Sequence, residues 1–160
     1  MIINIIFAIK FVHLVAAAAM LGTWLGIAVF MELARRSRNT SVMALTSRLA
    51  VRVEKIVMIA AIALQPISGL ALAWTIGLSP LDEFWIELSL VLFTIVVALW
   101  FAALRVEIRM RGLTRQAAVD GKPLPDSYRR LFRVYNILVW PGLAGTAVLF
   151  LLMVWQPRPW

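Results

Sequence analysis

Lys10 and His13 stand three residues apart in "IIFAIKFVHLVAAAAMLGTWLG", a run that is otherwise apolar. His13 is the single histidine of the chain, and no basic residue follows Lys10 until Arg35. At 100° per residue the two share one helix face with Ala17, Met20, Trp24 and Met31. An ionisable group inside a membrane span costs at least ~2.5 kcal/mol on insertion scales, so it should face protein or water and have a partner. Two chemistries meet that demand. In the first, Lys10 and His13 belong to a structural polar cluster at one membrane boundary, with Glu87 of the third span as the acid and Gln65 as the polar group beside the second span's proline. In the second, the imidazole ligates haem iron, because four-helix cores accommodate porphyrin. Among the methionines, Met153 matches His13 best in depth, while Met58 and Met43 lie toward the other end. Met20 shares the His13 face but stands about 10 Å further along the same helix.

Several other chemistries are excluded. A single histidine with no nucleophile elbow leaves no Ser–His–acid arrangement, and it cannot build a histidine-rich metal site. There is no cysteine, so thiolate chemistry, disulfides and cysteine-ligated metals are absent. No glycine-rich phosphate loop occurs.

The elements that must position Lys10 and His13 are membrane helices. Hydrophobic residues make up 62% of the 160, against roughly 45–50% in an average soluble chain. They come in four blocks, Ile2 to Leu33, Ile56 to Leu78, Phe84 to Leu104 and Val134 to Trp155, and about 20 apolar residues suffice to cross the hydrocarbon core. The expected fold is all-α: a polytopic membrane protein folded as an antiparallel four-helix transmembrane bundle, one domain over 1–160 with spans at about 3–33, 55–78, 84–108 and 132–155. The first run lacks a basic leader and far exceeds the 7–15 residues of a signal h-region, so it is expected to stay as a span.

Charge sets the expected orientation. Of the 16 Lys and Arg, all but Lys10 and Arg158 fall in Arg35–Lys55 and Arg105–Arg133, the first and third connections. The second, "GLSPLDEFWIE", carries Asp82, Glu83 and Glu87 and no base. The positive-inside rule then puts both termini outside and the basic connections in the cytoplasm. The net charge of +8 is explained by anionic lipid headgroups. No aromatic–basic interleaving suggests nucleic acid.

Along the chain, Val42, Leu45, Leu49 and Val53 recur near helical spacing between Arg48 and Arg52. This predicts an amphipathic helix at the interface, or an extension of the second span. Gly121, Pro123 and Pro125 should break the extension of the third span, after which Asp126 or Ser127 can cap the fourth helix. Pro66 and Pro141 lie within the second and fourth spans, and each frees a backbone carbonyl that Gln65, Ser68, Asn136 or water must satisfy. They are expected either to kink their helices for packing, helped by Gly69, Gly142 and Gly145, or to open a polar-lined cavity. Gly22 and Gly26 predict a close-packing stripe.

The stretches "KFVHLVAAAAMLGTWLGIAVFM", "LQPISGLALA", "FWIELSLVLF", "LRVEIRMRGL" and "PLPDSYRRLFRVYNILVWPGLAG…LLMVW" resemble the bacterial integral membrane proteins grouped as domain of unknown function 2269. A more distant resemblance is to the four-helix membrane-type protoporphyrinogen oxidases, which look like b-haem proteins. The shared marks are Lys10 and His13 in the first span, Pro66 and Gly69 in the second, Trp85 opening the third, and Phe132, Arg133 and Asn136 leading into the fourth. That likeness implies haem b with His13 as axial ligand, a methionine, best Met153, as a second ligand, and Lys10 or an arginine such as Arg133 near the propionates, with Asn136 part of the same set. Where those oxidases tend to have a His and a Lys, this chain reads Glu87 and Ser89, and an acid of theirs is Ile137 here, so protoporphyrinogen oxidation does not carry over. The copper-resistance type of four-helix protein shares the plan, but its extra His and Met ligands are missing.

The expected function is therefore an integral membrane, b-haem-binding redox protein, a membrane oxidoreductase of unspecified substrate. The alternative is a non-catalytic membrane assembly partner or small-solute carrier with a Lys10/His13/Glu87 polar cluster. The expected location is the bacterial inner (cell) membrane, with the lipid bilayer as partner and a homo-oligomer or a membrane redox partner left open.

Overall fold

The computed structural model describes residues 2–79 and 83–157, with side chains from residue 4. Asp82 and Arg158, which entered the charge argument, lie outside the described residues. Helix α1 runs Ile2–Arg36, α2 Thr40–Val53, α3 Ile59–Thr75, α4 Phe84–Asp120 and α5 Asp126–Trp155, and a π-helical turn, Glu54–Met58, joins α2 to α3. No strand occurs among the described residues. Four rods, Asn4–Arg36, Thr40–Thr75, Phe84–Asp120 and Asp126–Trp155, are long and apolar enough to cross a membrane. Large apolar side chains such as Phe7, Phe11, Phe30, Ile67, Val91 and Leu151 cover the outside of the bundle. Water would not tolerate such a surface, but lipid does.

The first basic connection is an extension of the second span rather than a separate interfacial helix. Arg38, at φ 54°, turns the chain. Asn39 then caps α2, its Oδ1 accepting from the backbone N–H of Ser41 (2.9 Å) and Val42 (3.2 Å). From there the buried residues Met43, Ser47, Ala50, Glu54, Met58, Ala61, Gln65 and Ser68 follow helical spacing straight through the π-turn. The extension of α4 ends as expected at Gly121, which takes the left-handed conformation. Pro125, not Asp126 or Ser127, occupies the cap position of α5. Asp126 instead starts the helix, where its charge faces the positive end of the helix dipole.

Packing follows from how the second rod crosses. Helix α4 lies along α5 and α1 along α3, while α2 lies mainly on α4. The rod thus touches α4 at the end carrying the basic connections and α1 at the other. At that far end α3 has at most slight contact with α4 and α5, and space opens between the two pairs. Glycines make the close approaches. A Cβ on Gly142 would stand 2.0 Å from Trp24 Cη2, one on Gly145 2.8 Å from Val96 Cγ2, and one on Gly69 3.1 Å from His13 Cε1. A Cβ on Gly22 or Gly26 would meet nothing within 4 Å among the described residues, so the expected stripe on α1 makes no close approach to them.

Candidate functional site

The space between the α1/α3 and α4/α5 pairs is a cavity of about 370 Å³, within the ~300–1,000 Å³ usual for small-molecule sites. Its polar lining comes from Lys10, His13, Gln65, Ser89 and Gln156; Pro66, Gly69, Trp85, Phe93 and Met153 are among the rest. A smaller pocket shares Gln65, Phe93, Leu149 and Met153 with it and extends toward Met20. His13, Lys10, Met153, Gln65, Pro66 and Trp85, singled out from sequence, therefore meet at one place.

His13 is 8% exposed and its ring is fixed by α3. Ser68 bonds back to the carbonyl of Leu64, Oγ to O 2.5 Å, and its Oγ lies 2.9 Å from His13 Nδ1. A hydroxyl has one proton to give. Ser68 gives it to the Leu64 carbonyl, so its Oγ accepts from His13 Nδ1–H. The neutral ring then carries its lone pair on Nε2, and the Gln65 backbone carbonyl is a further polar group beside the ring. Gln65 Nε2 donates to the backbone carbonyl of His13 at 3.0 Å, a second tie between the same two helices. Because Gly69 lacks a Cβ, the imidazole can lie against α3.

Other expected members are elsewhere. Glu87 is exposed on α4 and does not line the cavity. It forms no ion pair with Lys10 among the described residues. The residue that orients His13 is Ser68, and the polar group α4 offers is Ser89, two residues beyond Glu87 and on the inward face. Arg133 and Asn136 are 20 and 17 residues from Met153 on the same helix, about 30 Å and about 26 Å along its axis, and neither lines the cavity. Pro66 lines the cavity and Pro141 does not. Among the described residues no group of three or more His, Cys, Asp or Glu could hold a metal ion by itself.

The arrangement offers one neutral imidazole with a ligand-ready nitrogen, a thioether, a primary amine and flat aromatic walls. No curated protein and no solved structure matches the chain. The family model of "Predicted integral membrane protein (DUF2269)" matches residues 7–157, and over that length, with four membrane-long helices, the chain belongs to this family of integral membrane proteins.

Proposed function

We propose that the cavity binds haem b and that the protein is a membrane redox protein. The observation that carries the reading is the relay from His13 Nδ1–H to Ser68 Oγ to the Leu64 carbonyl. It fixes the tautomer and ring orientation that iron ligation requires, as the outer partners of metal-bound histidines commonly do. The donor set fits the group. His13 Nε2 would hold the iron, and Met153, on the facing helix pair, is the candidate for a second ligand. Lys10 supplies a cation for a carboxylate, and Trp85 and Phe93 supply apolar walls. Bound haem would contribute one-electron transfer, at a potential that a His/Met ligand pair raises.

The chain's own residues hold and orient. Gln65 and Ser68 tie α3 to α1 at the level of the ligand, and Gly69 gives the ring room. The positive-inside rule puts this end of the bundle outside the bacterial inner membrane, where a membrane redox partner or a second copy could exchange electrons with it. The test is absorbance of the purified protein made with ample haem. A Soret band is expected. His13→Ala should abolish it, and Met153→Leu should shift the spectrum without loss of the cofactor. A wild-type protein without a Soret band refutes the reading. The assembly-partner or carrier alternative would then stand, with Ser68 and Gln65 rather than Glu87 as its polar members.

A further inference from the structure

The other end of the bundle holds a second polar site, independent of the haem reading. Glu54, the first residue of the π-turn, is 1% exposed, and Glu107 on α4 is fully buried. Their carboxyl groups are neighbours, and the Trp100 indole lies beside that of Glu54. Tyr135 on α5 is close enough to feel both. As two bare carboxylates, Glu54 Oε2 and both Glu107 oxygens have no donor within strict hydrogen-bond geometry among the described residues, and Trp100 Nε1 and Tyr135 Oη have no acceptor there. The two carboxyls nonetheless lie near enough to bond each other once one of them carries a proton, with the Trp100 indole N–H toward Glu54. Polar atoms this deeply buried are almost always satisfied, so carboxyl oxygens that lack a donor in one place point to a missing positive charge between them. A π-turn at the same point fits, since such turns concentrate at functional sites.

The missing occupant must be positive. Two adjacent carboxylates in a dry interior cannot both remain charged without compensation. No basic side chain pairs with either among the described residues. Arg48 and Arg52 on α2, Lys55 on the π-turn and Arg105 and Arg109 on α4 are all exposed. On α1, Glu32 is engaged by Arg35 at 2.6 Å and Arg36 at 2.7 Å. The titratable groups that α5 brings near are Tyr128 and Tyr135, neither of which supplies a cation. A hard divalent ion prefers about six oxygen ligands or more, and the indole N–H beside Glu54 presents its hydrogen to the site, which repels a metal and suits a carboxylate.

We propose that Glu54 and Glu107 form a proton-binding site, holding one proton shared between their facing carboxyl groups. The proton is covalently bonded to one oxygen and donated to the other carboxylate. Its release leaves two adjacent anions, and uptake of a second proton leaves two neutral acids. The Trp100 and Tyr135 donors are placed to stabilise the anionic half. Glu54 and Gln65 are 11 residues apart on one rod, about 16 Å, so this site is distinct from the His13 cavity.

Infrared spectra of the full chain in phosphatidylcholine–phosphatidylglycerol vesicles test this, with chelator dialysis and metal analysis on the same samples. Wild-type protein at neutral pH should show the carbonyl stretch of one protonated carboxyl per chain, and Glu54→Gln/Glu107→Gln should remove it. Should the double variant not fold, Glu107→Gln alone should displace the band, because the remaining acid then faces an amide. No band in the wild type, a band unchanged by these substitutions, or one divalent ion per chain surviving the chelator would each overturn the proposal. Haem content should not change in any of these variants, which separates this outcome from that of the His13 reading.

Discussion

A double-mutant cycle between His13 and Ser68 measures how firmly α3 holds the imidazole. The pair spans 55 positions of sequence at 2.9 Å, and its members are 8% and 6% exposed. A buried neutral hydrogen bond contributes about 0.5–1.5 kcal/mol net, while a buried donor left unpaired costs about 1–3 kcal/mol. Inside membranes measured coupling is smaller, averaging ~0.6 kcal/mol with a maximum near ~1.7. Ser68→Ala removes the Nδ1–H acceptor and leaves only the Gln65 backbone carbonyl on α3 near the ring, so a loss of about 1 kcal/mol is expected. The coupling to His13→Ala should be about 0.6–1.5 kcal/mol, read from reversible unfolding in detergent micelles. If the two losses add within about 0.3 kcal/mol, as independent sites do, the hydrogen bond does not orient the ring. A second readout concerns function: in haem-loaded protein Ser68→Ala should weaken cofactor retention about 10–100-fold, the usual effect of losing a ligand's outer partner.

Four further outcomes are expected. Gly142→Ala drives a Cβ into the fully buried Trp24 ring, 2.0 Å from Cη2, and should cost about 3 kcal/mol, the upper end of overpacking. Gly22→Ala, with nothing within 4 Å, should be neutral or stabilising in the same unfolding assay, and equal losses would show that the Trp24 contact is not decisive. Asn39→Ala removes both capping bonds of α2 and should lower stability by about 1 kcal/mol, with restoration by Asn39→Asp; no change in the melt would mean that the cap is dispensable. Single cysteines at Ser79 and Ser127 should react with an impermeant reagent from opposite faces of the membrane, and labelling of both from one side would refute the orientation.

The spans and the His13 cavity were legible because hydropathy and depth are nearly one-dimensional. A run of about 20 apolar residues dictates a spanning helix, and residues equally far from one boundary meet at one level, which matched His13 with Met153, while Gln65 was marked by its neighbouring proline and Trp85 by family likeness. Azimuth was harder. Glu87 has the right depth but faces outward, whereas Ser89, 200° further round the helix, faces the cavity. Arg133 and Asn136 came from family likeness and have the wrong depth for this cavity. Ser68 was noticed only as a carbonyl's helper, because nothing in one strand of sequence says which hydroxyl meets the imidazole. Glu54 and Glu107 passed unremarked because arginines crowd both neighbourhoods. A signal was nonetheless present, since Trp100, Ala103, Glu107, Met110 and Thr114 form one buried stripe, an acid where the spacing demands an apolar residue.

The π-turn at Glu54–Met58 has a consequence for chain length. A π-turn closes its hydrogen bond over one residue more than an α-turn, so it stores a residue that an ideal helix would have spent on about 100° of rotation. The buried positions from Met43 to Ser68 keep ordinary helical spacing through it, and the stripe they form is therefore re-aimed partway along the rod. Before the turn it faces α4 and sets Glu54 against Glu107; beyond it the stripe faces α1 and sets Gln65 and Ser68 against His13. Deleting one exposed residue inside the turn, such as Ile56, can be absorbed by relaxing to α-geometry, with both facings kept. The same deletion at Ala61 has no slack to draw on and swings every later side chain by a full residue step. Homologues one residue shorter should lose that residue at this joint, where insertion and deletion leave both polar sites in register.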